Sequence, residues 1–243
     1  MRNIFAAISP AVLFLMIGCS TSAVTDPGKT VSPLAVAGNG SVHGGQQAVI
    51  GATVQLWQVG TTGYGAGAAA LGTSTLSQAD GSFSITNLYH CSDAASGDNT
   101  LVYITATGGN PGSGFGPNNQ LLMMAALGRC GNLTPATFIS INEVTTVAAV
   151  YALAQFMSPS GNIGSYGYSS TGLTNAFATV NSLVNVTTGL ARATTPNGNG
   201  VVPQAELNTL ANTMAFCINS SSVAGSPSAA CASYFLASTP GAG

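Results

Sequence analysis

The side chains able to do chemistry are few and spread along the chain. Four Lys or Arg, six Asp or Glu and two His serve 243 residues, and charged residues make up 4% of the chain against roughly 25% in an average soluble protein. Glycoside hydrolysis needs two carboxylates across one bond. Here Asp80 sits in the turn sequence Ala79-Asp80-Gly81-Ser82, Asp93 and Asp98 lie in a Ser/Gly-rich stretch, and Glu143 and Glu206 open helical segments. Each has a structural use. Asp93 and Asp98, with Asn99, offer oxygen ligands to Ca²⁺, but their spacing is not that of an EF-hand loop. His43 and His90 accompany no nucleophile motif such as G-x-S-x-G. The Gly63–Gly67 stretch lies among strands and carries no Lys to hold a nucleotide phosphate. A nucleic-acid partner needs a basic stripe, and four basic residues cannot make one. The expectation is a protein that is not an enzyme, with no cofactor and no metal site.

The cysteines and the N-terminus point to export. Arg2 precedes an apolar stretch from Ile4 to Ile17 that ends in small residues, the pattern of a secretory signal peptide and too short for a comfortable membrane span. Leu15-Met16-Ile17-Gly18-Cys19 resembles the lipobox of bacterial lipoproteins, in which the Cys is lipidated and becomes the new N-terminus. The alternative is cleavage after Thr21-Ser22-Ala23, which removes Cys19. Of the five Cys, removing or lipidating Cys19 leaves Cys91, Cys130, Cys217 and Cys231. Four cysteines allow three pairings. The local choice is Cys91–Cys130 with Cys217–Cys231, each bridge contributing roughly 3–4 kcal/mol in the chain-entropy model. No C-x₂₋₄-C spacing supports zinc instead. Residues 1–18 therefore read as signal peptide and residues 19–40 as a flexible tether, small, polar and punctuated by Pro and Gly.

From Ser41 the pattern has a period of two. Val49–Val59 puts Val54 and Leu56 on one face and Thr53, Gln55 and Trp57 on the other, a half-buried strand. Leu71–Gln78 and Ser82–Thr86 flank an Asp-Gly turn, a strong hairpin signal. Thr100–Thr107 and Ala136–Ile141 are further strands, and Leu121–Leu127 fits either a strand or a helix. The sole tryptophan, Trp57, with Tyr64 and Tyr89, forms the candidate ligand-binding set, suited to stacking on a sugar ring; the structural reading of Trp57 is cover for a sheet edge. After Ile141 the period becomes 3.6. Asn142 is a candidate N-cap and Glu143 complements the helix dipole. Val144, Val147, Ala148, Tyr151 and Phe156 make one face. A second helix runs from about Leu173 to near Gly189, a third follows Pro203 with Leu207, Leu210, Met214 and Ile218, and a short segment surrounds Cys231.

The run Gly51-Ala52-x-Val54-x-Leu56, Thr73-x-Thr75 and Asp80-Gly81-Ser82-Phe83-Ser84-Ile85 resembles the carboxypeptidase regulatory-like, transthyretin-related β-sandwich repeat over residues 41–107, with a pattern shared by CnaB-like domains. The resemblance implies a prealbumin-like β-sandwich and a structural or ligand-binding role with no catalytic residue. The only lysine, Lys29, precedes the sandwich, so the isopeptide cross-link of CnaB-like domains is not expected. Asn142–Thr146 and Leu210–Ser220 resemble an uncharacterised helical module of larger exported bacterial proteins, which suggests a truncated or minimal member ending at Ser238–Gly243. The expected class is β + α, with a sandwich domain over residues 41–141 and a small disulfide-stapled helical domain over residues 142–243. The expected function is an exported, lipid-anchored cell-envelope protein, at the outer membrane or cell surface or else periplasmic or secreted. It acts there as a structural or interaction module, its partners being the membrane and a glycan or envelope protein. The alternative is a carbohydrate-binding module of the cell surface.

Overall fold

Strands form where β-branched and apolar residues alternate, and helices where small and apolar residues recur at helical spacing. The computed structural model describes residues 38–85, 99–112, 114, 116–134, 136–167, 170–222, 226, 228, 229, 231 and 232. Cys19, Tyr89, His90, Cys91, Asp93 and Asp98, together with the expected signal peptide, lie outside the described residues. In chain order the elements are β1 (Gly38–Gly44), β2 (Gln47–Ala48), β3 (Thr53–Gln58), β4 (Ala69–Leu76), β5 (Ser82–Ile85), β6 (Leu101–Thr107), β7 (Leu122–Arg129), β8 (Phe138–Ile141), α1 (Glu143–Leu153), α2 (Thr171–Leu183), β9 (Val184–Asn185), β10 (Leu190–Ala191) and α3 (Gln204–Ile218). The class is β + α: mixed sheets with the helices α1, α2 and α3 among the described residues.

One sheet has the order β2-β1-β5, antiparallel, with β8 added parallel to β1. The other is antiparallel throughout, β4-β3-β6-β7. A single apolar cluster takes Val42, Phe83, Ile85, Ile139 and Ile141 from the first sheet and Val54, Leu56, Val102, Ile104 and Met123 from the second. The period of two then sends the alternate residues of β6 and β7 to the opposite face. There Leu101, Tyr103, Met124 and Ala126 meet Ala148, Ala149 and Leu153 of α1 and Leu173, Phe177 and Val180 of α2. The four-stranded sheet is thus covered on both faces, which is why β6 is buried through its first six residues. Residues on both sides of Ile141 contribute to this second cluster, and Ser32–Gly243 forms one compact unit.

Several elements differ from the pattern reading. β1 begins at Gly38, inside the expected tether. Gly-Asn-Gly is a poor strand signal, but a β-carbon on Gly40 would lie 2.1 Å from the Ile139 carbonyl oxygen and 2.5 Å from the Phe83 ring, so close packing requires the glycine there. The ambiguous Leu121–Leu127 run is strand β7. Helix α2 stops at Leu183 rather than near Gly189, because the β-branched run that follows pairs as the β9–β10 hairpin and Asn185 Oδ1 accepts from the amides of Thr187 and Thr188. The packed face of α1 is also rotated from the expected one. It buries Glu143, Thr145, Thr146, Ala148, Ala149 and Leu153 and leaves Tyr151 71% exposed. Small alanines allow a close approach to the sheet, and the threonines have a polar task there.

Candidate functional site

The polar task belongs to the edge of the four-stranded sheet. β7 is an edge strand, and an edge leaves backbone groups without strand partners. At Met124 the first turn of α1 supplies them. The Met124 amide donates to Thr146 Oγ1 at 3.0 Å, and the Met124 carbonyl accepts from Thr145 Oγ1 at 3.0 Å. The single hydroxyl proton of Thr146 reaches the Asn142 carbonyl at 2.7 Å. Asn142 caps the helix: its Oδ1 accepts from the Thr145 amide at 2.9 Å while its own amide donates to Thr145 Oγ1 at 3.0 Å. Beside this cap, Glu143 is buried and its Oε1 accepts from the Gly45 amide at 2.5 Å, tying the β1–β2 turn to α1. Burial raises the Glu143 carboxyl above its ordinary value.

The candidate ligand-binding aromatics divide by environment. Trp57 is half-buried on the helix-covered face of β3. Its Nε1 donates to Thr105 Oγ1 at 2.8 Å, and its ring stacks at 16° on that of Tyr103, its partner across β6, with centroids 6.4 Å apart. Tyr103 is 1% exposed, and its hydroxyl accepts from the Ile163 amide at 3.2 Å. Burial pushes its ionisation up to about 12. Tyr64, in contrast, is 65% exposed at the tip of the Gly60–Gly67 loop. The structure brings to it a ring that sequence reasoning did not select: Tyr166, 69% exposed, meets Tyr64 edge-on at 84° with centroids 5.9 Å apart. Phe156 supports Tyr64 from below, tilted by 45° at 5.6 Å. Tyr166 follows a Gly-Ser pair in a region without periodicity, so no local signal marked it. Tyr89 lies outside the described residues.

This corner is held by backbone bonds between two irregular segments. The Gly60 amide donates to the Ile163 carbonyl at 2.8 Å, the Ser165 amide to the Gly60 carbonyl at 3.0 Å, and the Gly164 amide to the Phe156 carbonyl at 2.9 Å. A β-carbon at Gly60 would stand 1.7 Å from the Ala66 carbonyl oxygen, and one at Gly164 would stand 2.4 Å from the same atom. The glycines that look featureless in sequence are what let the two segments interlock.

A second concavity, about 670 Å³, opens between α1, α3 and the start of β7. Its walls include Leu122, Val150, Leu210 and Met214, and no charged residue among the described ones lines it. The polar groups of Asn118 and Thr146 in it already have partners: Asn118 Nδ2 donates to the Cys217 carbonyl at 2.8 Å, and its Oδ1 accepts from Ser222. Cys217 and Cys231 form a disulfide at its side, with Cα atoms 4.9 Å apart. Cys130 is also disulfide-bonded; Cys91, its partner in the local pairing, lies outside the described residues. A structural disulfide marks an oxidising, non-cytoplasmic setting. No helix among the described residues is long and apolar enough to cross a membrane.

Four of the described charged side chains, Asp80, Arg129, Glu143 and Arg192, stand apart in structural contacts. Asp80 accepts from the Ser82 amide at 2.9 Å, and the Ser82 hydroxyl and amide hold its carboxyl below the ordinary value. Arg129 donates to Asn99, and Arg192 Nε donates to the Asn181 carbonyl at 2.8 Å. Among the described residues no three His, Cys, Asp or Glu gather where a metal could be held. Comparisons of the chain with protein families, with curated proteins and with solved structures find no match.

Proposed function

We propose that this chain is an exported cell-envelope protein, anchored by a lipid on Cys19, that works as a structural or interaction module rather than as a catalyst. The observation that carries this reading is the Cys217–Cys231 disulfide, a cross-link suited to an oxidising compartment. The distribution of charge supports it, since Asp80 and Glu143 each bond to a backbone amide in different parts of the fold and Glu206 stands in the first turn of α3. We read the two facing sheets as a carboxypeptidase regulatory-like, prealbumin-related sandwich. In support, Asp80-Gly81 makes its turn with Gly81 at φ 79°, and Phe83 and Ile85 point into the cluster between the sheets.

Fractionation of cells expressing the wild-type chain and Cys19→Ala tests the proposal. The expected result is wild-type protein in the membrane fraction, labelled by a fatty-acid precursor, and Cys19→Ala released in soluble form outside the cytoplasm. A Cys19→Ala protein still bound to membranes overturns the lipid anchor. Wild-type protein found in the cytoplasm with reduced cysteines overturns export itself.

A second reading, a carbohydrate-binding module of the cell surface, is favoured by one observation: Tyr64 and Tyr166 are both exposed and adjacent.

A further inference from the structure

We infer that the corner formed by Tyr64 and Tyr166 is a binding site for a neutral saccharide, one sugar ring lying against Tyr64 with Tyr166 as its side wall. The inference rests on the carbohydrate-binding reading and gives it a place and a ligand class. Two perpendicular rings 5.9 Å apart present a flat apolar surface and an adjoining wall. A pyranose has the matching shape, with an axial C–H face that an aromatic face accepts and a rim of hydroxyls that seek donors and acceptors. The Tyr166 and Tyr64 hydroxyls supply two such groups. The neighbouring turn supplies more: Gly65 packs against Ser158, since a β-carbon on Gly65 would stand 2.6 Å from the Ser158 amide nitrogen. Ser158 Oγ lies 2.9 Å from Ser160 Oγ, and Asn162 Nδ2 donates to Ser160 Oγ at 3.1 Å. Within this hydroxyl and amide cluster Ser160 is exposed, while Ser158 and Asn162 are half-buried.

Charge and rigidity narrow the ligand. Residues 60–67 and 156–167, which build the corner, contain no charged residue. An anionic glycan or a phosphate therefore has no counter-charge there, whereas an uncharged sugar needs none. A protein partner needs roughly 800 Å² of contact on each side, and two short loops with two exposed rings offer a smaller target instead. The loop is also set before any ligand arrives. The Gly65 amide donates to the Phe156 carbonyl at 3.1 Å, and the Gly167 amide to the Thr61 carbonyl at 3.2 Å, so Tyr64 and Tyr166 are carried on segments bonded to each other. Ordering that precedes binding lowers its entropic cost.

The test is native affinity electrophoresis of the full oxidised chain through gels containing hydroxyethyl cellulose, laminarin, xylan or dextran, with heparin as the anionic comparison. Retardation by at least one neutral polymer is expected. Affinity should fall at least about tenfold in Tyr64→Ala and Tyr166→Ala, stay within about threefold in Tyr64→Phe, and be unchanged in Tyr151→Ala, which removes an exposed tyrosine on α1. Nitration of the wild-type protein supplies a readout free of folding defects: Tyr64 and Tyr166, but not Tyr151, should be shielded by the retarding polymer. Retardation that survives both alanine variants, or a polymer that fails to shield either ring, overturns the corner while leaving carbohydrate binding standing. No retardation in any neutral gel removes both. Binding to heparin alone overturns the neutral-sugar assignment, and equal loss in Tyr151→Ala overturns the corner.

Discussion

Replacing Thr146 by Val isolates the clasp that α1 places on the edge of the sheet. Valine has nearly the shape of threonine, so no cavity opens, and the two residues differ little in helix propensity. What changes is the Met124 amide, which loses the acceptor 3.0 Å away. Met124 is 2% exposed and Thr146 4% exposed, so water cannot replace the lost acceptor. An unsatisfied buried donor costs about 1–3 kcal/mol. A loss of about 2 kcal/mol is expected, which for a chain of this size lowers Tm by about 4–8 °C. Thr146→Ser keeps the hydroxyl and removes one methyl, worth about 0.8 kcal/mol. The stability order should therefore be Thr, then Ser, then Val, whereas a ranking by apolar content puts Val first. Urea unfolding of the three oxidised proteins gives the free energies, and hydrogen exchange at the Met124 amide gives the local readout. A valine variant as stable as the serine variant, with Met124 still protected, would refute the clasp.

The disulfide, the buried carboxyl and the buried phenol give three further tests. Cys217 and Cys231 are 14 positions apart, and a loop of that length contributes about 3 kcal/mol in the chain-entropy model; the double alanine variant should lose that amount in urea unfolding, and equal stability under non-reducing conditions contradicts the expectation. Glu143 binds its proton more tightly when folded, because burial raises its pKa. Its contribution is full below the unfolded value and is lost as pH rises through the folded one, so the stability of Glu143→Gln relative to wild type should climb with pH; a flat or falling difference denies this. The Tyr103 phenol, held neutral up to about 12, follows the same sign at alkaline pH. Wild-type stability should fall as pH rises above the ordinary tyrosine value, Tyr103→Phe should lack that component, and an ultraviolet titration in which every tyrosine of the folded protein ionises together near pH 10 would contradict it.

Much of the fold is readable from period alone. The alternation of Val54 and Leu56 against Gln55 and Trp57 gives β3 and its faces, Asp80-Gly81 gives the hairpin turn, and Asn142 gives the start of α1. Periodicity fails where packing outweighs it. The face of α1 cannot be taken from its bulky residues, because the sheet edge selects two threonines for their oxygens and two alanines for their size, leaving Tyr151 outside. Gly38-Asn39-Gly40 reads as tether because its strand identity comes wholly from β5 and β8 on either side, both far along the chain. The aromatic corner was half legible. Tyr64 stands out among glycines, but Tyr166 reaches it only through tertiary bonds between Gly60 and Ile163–Ser165, which no local pattern announces.

The parallel pairing of Gly40 with Ile139 has a consequence for the order in which the molecule is made. β1 is the first of the described strands and the middle strand of its sheet, yet its β8 neighbour emerges about one hundred residues later. Two other ties span similar distances: Gly45 to Glu143, 98 positions apart, and Asn118 to Cys217, 99 apart. A ribosome adding roughly 5–20 residues per second leaves β1 half-paired for seconds, and closing such long loops is slow in itself. The β4-β3-β6-β7 sheet, whose neighbours are closer in sequence, can assemble earlier and offer its apolar face as a template. Completion of the first sheet is then a late event, because the β8 pairing and the Glu143 bond to the Gly45 turn both wait for residues about one hundred positions after β1.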